Sequence, residues 1–291
     1  MHSFIPYGFG WHRDLPDPRD YTPNHEEIVE ALEELKPSGA RPPRVDWREY
    51  CGGVEDQGNL GTSVAHACVA LLQFFERRAS GRLIEPSRLF VHKTAGRLLH
   101  RWGESGACLR ATWQAVTHFG VPPEQHWPYQ VEKARQEPDA FAYSSARRFP
   151  SLRYVRLDGR GQTGQTSLEN VKSFLVAGFA CVFGFPVCTS VTAEADIPFP
   201  TIFDAVRGGQ AVTAVGYDDA RWIRSDKGAL LVRNSWGTEW GEGGYGWLPY
   251  AYVRESLAAD FWTLLKDDWL ASGDFSRPDL HQIAPTPSPG S

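Results

Sequence analysis

The chain has 291 residues, of which 42% are hydrophobic, 13% aromatic and 22% charged. These shares are ordinary for a globular protein and exclude wholesale disorder, and the aromatic side chains can supply a sizeable core. The formal net charge of −5, without a long basic run, gives a nucleic-acid or anionic-membrane partner no electrostatic basis. No apolar stretch approaches the roughly 18 residues that span a bilayer, so we expect no transmembrane helix.

The five cysteines indicate a reducing environment. They are an odd number without zinc-like spacing, and we interpret them as buried thiols: Cys51, Cys68, Cys108, Cys181 and Cys188. The first 20 residues lack the apolar core of a secretory signal, so we expect a cytoplasmic protein, and we expect no metal or cofactor. A Cys51–Cys108 disulfide is an alternative that the sequence leaves open.

The first half of the chain is predicted to be helical. Residues 1–44 are rich in Pro, Asp and Arg and form an N-terminal extension that either lies over the domain surface or plugs a cleft. Apolar residues at spacings of three and four predict a helix over 63–79, which is apolar on nearly all sides and therefore buried. Shorter helices are predicted over 86–99 and 109–119. These elements make a helical lobe over residues 45–150.

The second half is predicted to be mostly β. A strand at 151–157 and a helix at 167–177 are followed by four short β-like runs that contain or adjoin glycines, at 179–185, 211–217, 229–234 and 241–248. The pattern predicts a small antiparallel sheet or barrel over 151–273, followed by a loose tail at 274–291. The fold class is therefore α+β with two lobes.

Three ordered motifs carry chemistry. They are QGNLGTS at the start of the buried helix, AVTAVGY at 211–217, and NSWGTEWGEGGY at 234–245. Over roughly residues 40–265 the chain resembles the papain-like cysteine peptidases, and more closely a bacterial branch of them. The resemblance implies a papain-like fold with a helical lobe, a β-barrel-like lobe, and a peptide-binding cleft between them.

Several residues that the resemblance marks as functional are present. It implies that Gln57 forms the oxyanion hole, that Asn234 orients the catalytic base, and that Trp236 shields it. Gly106 is a candidate for lining a substrate subsite.

The two residues that would perform the chemistry are substituted. The nucleophile position, a cysteine in the family, holds Ser63, and the base position, a histidine, holds Gln210. Leu60 and Val64 also depart from the family pattern, which favours natural divergence over an engineered knockout. A serine hydroxyl is a poor nucleophile without a base, and a glutamine amide has no titratable group near neutral pH. We therefore hypothesise a pseudopeptidase that binds a peptide or protein segment in the cleft without cutting it.

Three enzymatic alternatives stay open. The cleft could catalyse acyl transfer or cyclisation, or could retain residual peptidase activity, with Ser63 and the Gln57 oxyanion hole. A serine hydrolase with a nucleophile elbow at 61–65 would need a strand before Ser63, and the preceding segment is polar and broken by glycine. His66 is three residues after Ser63 on the same helix, and we predict that it faces the packing side rather than the cleft.

Overall fold

The computed structural model of the chain describes residues 8–33, 40–100, 106–272 and 275. Its helices are α1 Glu26–Glu33, α2 Ser63–Ser80, α3 Arg88–Leu98, α4 Leu109–Phe119, α5 Ala140–Ser144, α6 Gly164–Val176, α7 Ala251–Arg254 and α8 Asp267–Leu270. Its strands are β1 Arg44–Asp46, β2 Arg153–Arg156, β3 Cys181–Cys188, β4 Val206–Ile223, β5 Asp226–Arg233, β6 Tyr245–Pro249 and β7 Ala259–Leu265.

Within the described residues, the strands form one antiparallel sheet in the order β2-β7-β3-β4-β5-β6, with β1 added to β4. The long strand β4 pairs with three neighbours because β3 and β1 share one of its edges, at residues 206–214 and 216–218, while β5 pairs along the other edge. Register shifts interrupt the β4–β5 pairing between Ala214 and Gly216 and between Asp218 and Trp222. The first part of β4 faces the helices, and this places residue 210 at the junction of the two lobes.

Helix α2 is the central element of this junction. It contacts α3 and α4 on one side and β4 on the other. Being enclosed on both sides explains why its side chains are apolar nearly all round, with Leu71, Phe74 and Phe75 fully buried. The helix ends at Gly81, whose left-handed backbone (φ 67°) suits glycine. Its first residue, Ser63, lies where α2 meets the sheet.

The structure moves some predicted boundaries. Helix α6 begins at Gly164 rather than at residue 167, because the Thr163 hydroxyl accepts a hydrogen bond from the Thr166 N–H at 3.1 Å and caps the helix. Strand β7 was not predicted, since all seven of its residues are buried and no alternation of polar and apolar residues marks it. Among the described residues, no helix combines the length and apolarity needed to cross a membrane.

The structure decides the open alternative about the cysteines and corrects the boundary of the tail. All five cysteines are free thiols, so the alternative Cys51–Cys108 disulfide is not formed; four of them are buried as expected, whereas Cys108 is only half-buried. The predicted loose tail begins too early, because Phe275 is buried and stacks on Phe75 with 5.8 Å between ring centroids. The remainder of the tail, and residues 1–7 of the N-terminal extension, lie outside the described residues.

Candidate active site

The candidate site forms where four chain segments meet at the first turn of α2. Ser63 begins the helix and is fully buried, and its hydroxyl accepts a hydrogen bond from the backbone N–H of Ala211 on β4 at 3.3 Å. The loop before α2 supplies Gln57, and the segment after β5 supplies Asn234. The backbone N–H of Gln57 donates to the carbonyl of Ser235 at 2.9 Å, which holds these two segments together. The structure therefore brings Ser63, Gln57 and Asn234 beside Gln210, as the motif positions predict.

The Gln210 side chain is a hydrogen-bond donor at the centre of this site. Its Nε2 lies 3.0 Å from Gln57 Oε1, 2.8 Å from Asn234 Oδ1 and 3.3 Å from Ser235 Oγ. The backbone N–H of Ser235 donates to the same Asn234 Oδ1 at 2.8 Å, which identifies that atom as the acceptor and the facing Gln210 atom as the amide nitrogen. The side chain at residue 210 thus donates hydrogen bonds within the site, where a catalytic base would have to accept a proton.

The Gln57 side chain is held from both ends. Its Oε1 accepts from the Ser235 hydroxyl at 2.6 Å, and its Nε2 donates to the carbonyl of Leu60 at 2.9 Å. Its own backbone carbonyl accepts from the Tyr129 hydroxyl at 2.9 Å. Burial raises the pKa of Tyr129 to about 12, so this hydroxyl keeps its proton at physiological pH. The remaining hydrogen of the Gln57 amide points to the carbonyl oxygen of Gly8, 2.5 Å away.

His66 does not replace the missing base. Its ring is buried, and its Nδ1 donates to the carbonyl of Thr62 at 3.1 Å. The ring also makes a T-shaped contact with the ring of Tyr129. Burial, reinforced by the charge of Arg88, lowers the pKa of His66 to about 3. Within the described residues, no histidine ring nitrogen hydrogen-bonds to the Ser63 hydroxyl.

Trp236 and Gly106, the two candidate binding residues, have different surroundings. Trp236 is fully buried and packs edge-on against Trp240, with ring centroids 5.3 Å apart. Gly106 has φ +93°, and its N–H donates to the carbonyl of Gly61 at 3.0 Å. A Cβ at residue 106 would lie 2.5 Å from Nε2 of His12, so Gly106 borders the N-terminal extension.

The cleft between the lobes holds residues 8–14 of the N-terminal extension, which we call the cleft segment. The N–H groups of Gly10 and Trp11 both donate to the carbonyl of Gly209 on β4, at 3.0 and 2.9 Å. On the other lobe, Ala107 donates to the carbonyl of Gly10 at 2.8 Å and accepts from the N–H of His12 at 3.0 Å. The extension therefore plugs the cleft in this stretch, rather than lying only over the surface.

A buried carboxylate anchors the cleft segment. Asp260 on β7 accepts from Trp11 Nε1 at 3.0 Å and from the backbone N–H of Asp14 at 2.7 Å. Its other carboxylate oxygen accepts a hydrogen bond from Arg156 Nη2 at 2.8 Å. Burial outweighs this attractive cation and raises the pKa of Asp260 to about 6. Sequence reasoning missed Asp260 because the strand that carries it was not predicted.

Comparisons with known proteins identify the family of this fold. The model of the papain family cysteine protease matches residues 41–256. The chain belongs to the papain family. An uncharacterized peptidase C1-like protein of Acanthamoeba polyphaga mimivirus is 33% identical over 90% of this chain and 88% of its own length. Macrodontain-1 of Ananas macrodontes is 26% identical over 71% of the chain and 88% of its length.

Among solved structures, xylellain, a cysteine protease from Xylella fastidiosa, superimposes with a TM-score of 0.73. It is 30% identical in sequence, and the match covers 91% of this chain and 98% of xylellain. The predicted papain-like α+β fold is confirmed.

Two contributors to the site were not assigned from the sequence. Ser235 bridges Gln57 and Gln210, and Tyr129 supports the loop that carries Gln57. Ser235 stands inside the NSWGTEWGEGGY motif, and Tyr129 ends the short segment WPY at 127–129. The sequence therefore contained both residues in distinctive segments, but it did not indicate what their hydroxyl groups contact. As an arrangement, the site can bind a peptide carbonyl through Gln57 and pair with an extended backbone on both lobes.

Proposed function

We propose that this chain is a non-proteolytic member of the papain family whose inter-lobe cleft binds a peptide or protein segment. The observation that carries the proposal is the donor role of Gln210, whose amide donates toward Gln57 and Asn234. An amide in that role cannot remove a proton from Ser63, and the Ser63 hydroxyl is bonded to a backbone N–H rather than to a base. A general base is worth about 10²–10⁴-fold in rate, and nucleophile and base act as a unit.

The binding half of the proposal rests on the cleft segment. Its backbone is recognised by Gly209 on one lobe and Ala107 on the other, and its Gly8 carbonyl is bound by the Gln57 amide. These contacts are made to main-chain atoms, so a segment from another protein that fits the cleft can make them as well. Binding of a peptide carbonyl by Gln57 does not require a nucleophile at residue 63.

The test measures hydrolysis of a peptide library by the full chain, by Ser63→Ala, and by the double variant Ser63→Cys, Gln210→His. Each is also prepared with Trp11→Ala, which weakens the cleft segment, so that an occupied cleft does not hide activity. We expect the chain and Ser63→Ala to match the blank in both backgrounds, and the double variant to gain thiol-dependent hydrolysis at least with Trp11→Ala. Hydrolysis by the unmodified chain that disappears in Ser63→Ala would overturn the proposal.

The acyl-transfer alternative is tested in the same assay with a peptidyl thioester and an amine acceptor. We expect no turnover above the blank. Transfer that is lost in Gln57→Ala would assign the site to acyl transfer instead.

A further inference from the structure

One wall of the cleft leaves no room for side chains at two positions of the cleft segment. A Cβ at Gly8 would lie 2.4 Å from the carbonyl oxygen of Asn59, and a Cβ at Gly10 would lie 2.4 Å from that of Gly61. Both obstacles are backbone atoms, which cannot rotate away as the end of a flexible side chain could. The loop before α2 therefore admits only glycine at these two positions of an extended chain in this path.

The opposite wall is made of glycines that create space for two aromatic rings. A Cβ at Gly208 would lie 2.5 Å from the ring of Phe9. A Cβ at Gly184 on β3 would lie 2.0 Å from the ring of Trp11, and the three atoms nearest to it all belong to that ring. Glycine inside a strand weakens the strand and often marks a close approach. Here the side chains of Phe9 and Trp11 approach the backbone at these two glycines.

A polar group at the end of the second aromatic position distinguishes tryptophan from phenylalanine. Asp260 is fully buried and accepts the indole Nε1–H of Trp11 at 3.0 Å. A phenylalanine there would leave this hydrogen bond unmade. Trp11 is half-buried against the hydrophobic core, and aromatic side chains that pack in this way with a satisfied polar group are typical anchors of protein interfaces.

We propose that the cleft selects extended protein segments with the pattern Gly-aromatic-Gly-Trp, and that residues 8–11 occupy it as an intramolecular competitor of such a partner. This inference rests on the proposed peptide-binding function and names the class of segment that the cleft takes. A tethered segment competes at an effective concentration of the order of millimolar, so a partner in trans binds well only when the cleft segment is weakened.

The experiment measures fluorescence anisotropy of a labelled peptide with the sequence of residues 8–14, GFGWHRD, titrated with the full chain. We expect it to bind the Trp11→Ala variant at least tenfold more tightly than the unmodified chain. In that variant, peptides with Ala for both glycines, or with Phe for Trp, bind at least tenfold more weakly than GFGWHRD.

A change in the cleft wall supplies the matched control. Adding Gly184→Ala to Trp11→Ala should reduce binding of GFGWHRD at least tenfold, because the new methyl group occupies the place of the peptide's indole. The three heavy atoms nearest to that methyl group all belong to the Trp11 ring, which Trp11→Ala removes, so we expect the fold to tolerate the double substitution. Gly53→Ala, where a Cβ meets nothing within 4 Å, should leave binding unchanged.

The outcomes separate this inference from the proposed function. If the alanine peptide or an unrelated extended peptide binds Trp11→Ala as tightly as GFGWHRD, the selectivity is refuted while peptide binding stands. If no peptide binds Trp11→Ala even at millimolar concentration, both peptide binding and its selectivity are refuted.

Discussion

Replacing Gln210 by glutamate tests whether this side chain acts as a donor. The substitution keeps the shape but puts an oxygen where Nε2 stands, 2.8 Å from Asn234 Oδ1 and 3.0 Å from Gln57 Oε1. The side chain is fully buried, so a carboxylate there is an uncompensated charge among acceptors. Leaving such a charge costs about 3–5 kcal/mol, and we expect the free energy of unfolding to fall by that amount at pH 7.

The deficit should depend on pH. The folded-state pKa of the new carboxyl would be raised above its unfolded value of about 4.3. Its contribution to stability is then fully present below about pH 4.3, where the protonated group can donate to Asn234, and is lost as pH rises through the folded-state pKa. The control Gln210→Met removes the donor without adding charge. It should cost only about 1–2 kcal/mol at every pH, since Gln57 Oε1 keeps the Ser235 hydroxyl as a donor.

The measurement is chemical denaturation of the chain and both variants at pH 7 and pH 4.5, analysed as differences from the unmodified chain so that titrations common to all three cancel. If Gln210→Glu were as stable as the unmodified chain at pH 7, the donor role of Gln210 would be wrong. A deficit that did not shrink toward acidic pH would contradict the reasoning as well.

Three further predictions concern stability. Burial lowers the folded-state pKa of His66 to about 3, so its contribution to stability is present above pH 6.5 and is lost as pH falls, by up to about 1.4 kcal/mol per pH unit. In His66→Asn, unfolding free energies measured between pH 7 and 4 should lack this dependence on pH. Arg156→Met should lower the unfolding free energy by about 3–5 kcal/mol, because it removes the guanidinium whose Nη2 lies 2.8 Å from Oδ1 of the buried Asp260. Adding Asp260→Asn removes the unpaired carboxylate and should recover part of the loss. Gly216→Ala should destabilise the chain by about 1–3 kcal/mol, since its Cβ would lie 2.2 Å from the carbonyl oxygen of Val45 in the β1–β4 pair, while an equal melting temperature for this variant and the Gly53→Ala control would refute it.

Local sequence signals predicted most of the fold around the site. The all-round apolar pattern of 63–79 predicted the buried helix α2, and helix α4 has the bounds that the sequence predicted, Leu109–Phe119. Strand β7 was missed because a strand buried on both faces shows no alternation. Sequence reasoning placed the tail boundary before Phe275 because a single buried aromatic leaves no periodic signal.

By itself, the sequence determined that the chain belongs to a papain-like family and that serine and glutamine stand at residues 63 and 210. These conclusions depend on ordered motifs and their spacing, which can be read directly from the amino-acid sequence. The tertiary structure alone decided that the Gln210 amide donates to Asn234 and that residues 8–14 fill the cleft. The physical reason is that a hydrogen bond is defined by distance and direction between groups far apart in the sequence, as with Trp11 and Asp260, and folding alone brings those groups together.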